Sequence, residues 1–177
     1  FVISGGSDMV GLAFSDLFNL GTIQPADLTE VRVLLGVEVA RLACLRASDR
    51  EIDALEANIV AAEAAVRSGN TPLRTELNLE FHRMLARMTH NPLMVTLTNA
   101  VTVVTAQVSK GMVPMSDRSV MPLRRRLLAH LRARDTAAAA AEMHDHLLRV
   151  QRHYLKHAGS SPGAVAGAAP RARAAAD

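Results

Sequence analysis

An all-α fold, an antiparallel bundle of six to seven helices, is what this sequence predicts. Three observations point to it. Apolar residues recur at three- and four-residue spacing along most of the 177-residue chain. Capping residues and Gly or Pro breaks punctuate that pattern and leave only short links. Beyond the opening "FVI", no segment alternates apolar and polar residues as a half-buried strand would.

The helices follow in order. The first is expected from about Ser7 to Leu20, with Met9, Ala13, Leu17 and Leu20 inward and Gly21 as its stop. Pro25 opens the second, which would bury Leu28, Val31, Leu35, Leu42 and Leu45. "SDRE", Ser48 to Glu51, is a capping box, and it starts a third helix with Ile52, Leu55, Ile59 and Val66 inward. Gly69-Asn70 ends that helix, and Thr71-Pro72 starts the fourth, with Phe81, Leu85 and Met88 on its apolar stripe. Asn91-Pro92 starts the fifth, with Leu93, Leu97, Val101, Val104 and Val108 inward. "GMVPMSD" is expected as a loop. The sixth helix runs from about Ser119 to Arg134, and the seventh from Asp135, its N-cap, to about His157. After Gly159 the chain is a low-complexity tail. The expected division is therefore 1–6 as the end of a preceding domain or linker, 7–158 as the helical domain, and 159–177 as a disordered tail.

Composition narrows the function classes. Apolar residues make up 49% of the chain, so a sizeable core is available. No apolar run approaches a membrane span and no secretory signal is present, which leads to the expectation of a cytoplasmic protein. The single cysteine, Cys44, excludes an internal disulfide framework and a thiolate metal cluster. The net charge of +3 is too small to mark a nucleic-acid surface, and aromatic residues, at 3%, are too few for base-stacking platforms.

Polar residues placed within apolar stripes are the informative ones. On the second helix Arg32 interrupts the face formed by Leu28, Leu35 and Val39. On the fourth, Asn78 and His82 lie four residues apart beside the apolar stripe. On the sixth, Arg124 belongs with Leu127, Leu128 and Leu131, and on the seventh His146 belongs with Met143, Leu147 and Val150. Singly, each has a plain explanation. An arginine can run its stem along a core and keep its head in water. An inward histidine can be a satisfied core group. Together they point to a shared polar pocket, because burying several polar heads costs several kcal/mol unless they meet each other or a ligand. The other histidines, at 90, 130, 144, 153 and 157, sit near helix ends or on mixed faces and suggest no chemistry.

With these residues in place, the chain resembles the C-terminal effector-binding (FCD) domain of GntR-family transcriptional regulators, in the FadR-like branch. The resemblance rests on "VRVLLGVEVARLA", "NLEFHRMLARMTHNPL", "LRRRLLAHLRARD" and "AEMHDHL", in that order, and covers about Leu28 to Leu155. It implies a homodimer that acts on DNA through a winged helix-turn-helix domain, and "FV" at the start would suit that domain's last strand. It also implies a central cavity, which in the family commonly holds a divalent metal through an aspartate and three histidines. By position, Asn78 replaces the aspartate and Arg124 replaces the second histidine, while His82 and His146 keep theirs. A guanidinium has no lone pair to offer a metal and repels a cation. No cofactor is therefore expected; were a metal present, His82, His146 and Asn78 would be its ligands. Arg124 would instead anchor a carboxylate effector directly, with Arg32 as a second charge and Asn78, His82 and His146 as hydrogen-bonding groups.

Three functions compete. The first is a sensor of a small acidic metabolite, controlling DNA binding through a dimer. The second is a dimerisation domain with a vestigial pocket. The third is a metal-dependent helical-bundle enzyme, disfavoured because the inward positions carry no carboxylate pair and no nucleophile beside a base. A ligand-sized polar cavity with Arg124 and His82 turned inward favours the first. A closed core with Arg124 in solvent favours the second.

Overall fold

The computed structural model describes residues 4–108 and 117–158. Among them are seven helices and no strand: α1 (Ser4–Asn19), α2 (Pro25–Arg46), α3 (Asp49–Arg67), α4 (Thr71–Arg87), α5 (Pro92–Val108), α6 (Asp117–Ala133) and α7 (Thr136–Ala158). The "FVI" start, most of the "GMVPMSD" loop and the tail lie outside the described residues.

Helix boundaries follow the cap chemistry. Gly21, at φ 72°, turns the chain after α1, and its N–H donates to the Phe18 carbonyl at 3.0 Å. Ser48 caps α3 reciprocally: the Glu51 N–H donates to Ser48 Oγ at 3.3 Å, and the Ser48 N–H to Glu51 Oε2 at 2.8 Å. Asn70 Oδ1 accepts from the Leu73 N–H, Asn91 Oδ1 from the Leu93 N–H, and Asp135 Oδ1 from the Ala138 N–H, which starts α4, α5 and α7. Helix α6 begins at Asp117, two residues ahead of the sequence expectation, and carries Pro122 within it. Only one turn precedes that proline, so little helix is disturbed.

Helix α2 runs through the middle, packed against α4, α5, α6 and α7. Small side chains make this possible: Ala40, Ala43 and Cys44 are fully buried. Gly36 lies so close to α7 that an added Cβ would stand 2.5 Å from Leu147 Cδ1. A helix buried on several sides has no single stripe, and the expected one is partly wrong. Leu28 and Leu42 are buried, but Val31 and Leu45 are exposed. Leu93 on α5 is exposed as well.

Helix α1 is turned over relative to expectation. Met9, Leu12 and Leu20 are 72%, 64% and 78% exposed, and Leu17 is exposed beside them. The opposite face, with Gly11 and the buried Ser15, lies on α5, where Gly11 approaches Ala100 and Val103 closely. Phe14 and Phe18 pack beside it. Both faces of α1 are apolar, so spacing alone could not choose between them. The face with small residues won because it lets the backbones approach.

Two cores result. The larger joins α2, α3, α4, α6 and α7 through residues such as Ile59, Phe81, Leu85, Leu127 and Met143. The smaller joins α1, α2 and α5 around Leu28, Val101 and Val104, with Phe14, Phe18, Ile23 and Leu35 against it. A cavity lies between them, walled by members of both.

Candidate functional site

The cavity has a volume of about 410 Å³. That falls within the roughly 300–1,000 Å³ usual for small-molecule sites. Five helices wall it. Helix α4 contributes every fourth residue along one ridge: Arg74, Asn78 and His82. Helix α2 contributes Arg32, α6 contributes Arg124, and α7 contributes His146. Thr98, Thr102 and Thr105 on α5 line the facing wall. Leu35, Val39, Leu85, Met143 and Leu147 supply apolar surface. All five polar residues singled out from the sequence thus meet at one cavity. Arg74 and the three threonines were not foreseen.

Arg124 is 3% exposed, and its guanidinium stacks over the Phe81 ring, with Cζ 4.3 Å from the centroid. The leucines around it belong to the core, so its charge is held rigidly at the cavity wall. Phe81 in turn meets the His82 ring edge-on, at 5.6 Å and 84°. His146 is 7% exposed. His82 is half-buried by surface yet deep in the fold, because much of what it exposes is cavity wall.

Both imidazoles are held neutral. Burial pushes the His82 pKa well below the usual histidine value, and the charges of Arg32 and Arg124 push it further. His146 is lowered to about 3, first by burial, then by Arg32, Arg124 and Arg149, against a small opposing pull from Glu142. A neutral imidazole offers one donor and one acceptor. Two further buried atoms await hydrogen bonds: Asn78 Oδ1 and Thr98 Oγ1 have no hydrogen-bond partner within the protein.

Among the described residues, the cavity wall carries three arginines and no aspartate or glutamate. This field suits an anion and repels a cation. The metal set implied by the family resemblance does not fit these residues. His82 and His146 retain nitrogen donors, but the guanidinium of Arg124 stands among them and no carboxylate offsets the metal's charge. Among the described residues, no group of three or more His, Cys, Asp or Glu is placed to hold a metal. Paired carboxylates for acid–base work are likewise missing from the wall. Glu38 and Glu80 lie on outer faces, paired with Arg41 and with Arg83 and Arg87.

Fold and cavity together define an all-α domain built around a central cavity with a cationic wall. Residues 27–149 match the FCD domain family, and the chain belongs to that family. Among solved structures it resembles Streptococcus agalactiae GntR, with a TM-score of 0.62 and 25% identity over 86% of this chain. The chain spans 62% of the length of that structure. A search of curated protein sequences finds no match.

Proposed function

We propose that this domain is the ligand-sensing and dimerisation module of a GntR-type transcriptional regulator, and that it binds a small carboxylate metabolite in the central cavity. Binding would shift the helices and change the affinity of a linked winged helix-turn-helix domain for DNA, within a cytoplasmic regulator. One observation carries the reading: Arg124 is buried in a leucine stripe, yet its charge borders a ligand-sized cavity whose wall, among the described residues, has no acidic residue. A vestigial pocket would have closed around apolar side chains and released Arg124 to solvent. The outward apolar stripe of α1 supports assembly, because monomers rarely leave such surface uncovered. Two-fold pairing would match two operator half-sites.

A thermal-shift screen of carboxylic acids, run with and without a chelator, tests the proposal. The expected result is stabilisation by one class of acids that chelator does not alter. A stoichiometric transition metal held by His82 and His146 would overturn the metal-free reading.

A further inference from the structure

We propose that the metabolite is an elongated dianion, gripped by one anionic group at each end of the cavity. This rests on the carboxylate reading above and goes beyond it by specifying a second head. The argument is the distribution of the three arginines. Arg124 is fixed by its stacking on Phe81, next to His82 on α4. Arg32 shares that end, since it and Arg124 both act on His82 and on His146. Two guanidiniums and two neutral imidazoles therefore gather at one pole. Arg74 stands elsewhere. It precedes His82 by eight residues on the same helix, which at helical rise is a separation of about 12 Å along the axis. Side chains on a helix lean toward its N-terminus, which carries the Arg74 head further from His82. Arg74 is not among the charges that depress either imidazole.

The wall between the poles matches such a ligand. Asn78 sits midway between Arg74 and His82 on the α4 ridge, and its Oδ1 has no hydrogen-bond partner in the protein. Thr98 on α5 brings an equally unengaged hydroxyl to the same cavity. Leu35, Val39 and Leu147 add apolar surface to the same cavity, which would pack along a carbon chain. A guanidinium carries five N–H donors in a fork, so contact with the protein along one edge leaves another for a ligand oxygen pair. A monoanion would use the Arg124 pole and leave the Arg74 pole facing solvent.

Titration calorimetry with linear α,ω-dicarboxylates from succinate to azelate, each paired with the monocarboxylate of equal chain length, tests this. The expected result is an affinity maximum within the dicarboxylate series, with the best member at least about tenfold tighter than its monocarboxylate. Arg74→Gln should weaken dicarboxylate binding by at least about tenfold more than monocarboxylate binding, while Arg74→Lys should retain part of the advantage. Arg124→Met should weaken both series. Circular dichroism melts of each variant separate loss of binding from loss of fold. Equal affinity of the paired acids at every length, or an Arg74→Gln variant that keeps the full dicarboxylate advantage, would sink the two-headed ligand and leave the carboxylate reading standing. Failure of every acid in both series would sink the carboxylate reading itself, and the two-headed ligand with it.

Discussion

Arg124 holds a permanent charge inside a leucine stripe, and that contradiction between residue and surroundings makes the candidate site legible in the sequence. The same reasoning found Arg32, Asn78, His82 and His146, each a polar group at or beside an apolar stripe. It missed Arg74, although 74, 78 and 82 form one four-residue ladder, because Arg74 lies at the start of α4, outside the stripe formed by Phe81, Leu85 and Met88. It missed the α5 threonines for another reason. A threonine can satisfy its own helix, as Thr105 does by donating to the Val101 carbonyl at 2.7 Å, so it does not stand out in a valine-rich segment. Two sets of predictions belong at this scale, one on binding at residue 124 and one on pH. Arg124→Ala should weaken carboxylate binding by about tenfold or more with helix content unchanged, and Arg124→His with Asn78→Asp should create a four-ligand site that zinc or nickel stabilises; calorimetry and metal-dependent melting check them. The second concerns pH. His146 titrates near 3 when folded, against about 6.5 when unfolded, so the unfolded chain binds the extra proton between those values. Stability is therefore full above about pH 6.5 and falls as the pH drops toward 3. At pH 5 His146 alone should cost about 2 kcal/mol, a loss that denaturant titrations should show and that His146→Gln should reduce.

Helix ends were legible where helix faces were not. Caps are local: Ser48, Asn70, Asn91 and Asp135 each reach a backbone N–H two or three residues away, so the sequence specifies them without reference to the rest of the fold. Ser48→Ala should accordingly cost about 1 kcal/mol, measurable as a lower melting temperature. Which face a helix buries depends on its neighbours, and α1 and α2 show two ways for spacing to mislead. Helix α1 is apolar on both sides, and α2 is wrapped by four helices. The close approach of α2 and α7 at Gly36 gives a further expectation. Gly36→Ala places a methyl against Leu147 Cδ1, the mobile end of a flexible side chain that also lines the cavity. The gain in helix propensity, about 1 kcal/mol, should offset most of the steric cost, leaving the melting temperature nearly unchanged. Displaced Leu147 should shrink the cavity, and calorimetry should record weaker ligand binding.

At the scale of the molecule, the chain should be a homodimer, and light scattering at roughly tens of micromolar should find twice the chain mass. The seating of α1 has a mechanical consequence beyond assembly. Among the described residues the close backbone approach of α1 is to α5, and its Phe14 and Phe18 side chains reach the small core around Leu28, Val101 and Val104. It sits against Ala100 and Val103, while Thr98, Thr102 and Thr105 on the other side of α5 border the cavity. One helix thickness, about 10 Å, separates the cavity from α1. Helix α5 is thus placed as a lever, with the cavity on one side and α1 on the other. A small roll of α5 would swing α1 bodily, without disturbing the large core beneath α2. The exposed end of α1 makes that swing observable. A Leu20→Cys variant would take a spin label there, because the native Cys44 is buried and does not compete. The label's distance to a second one on α3 should then change when the cavity fills.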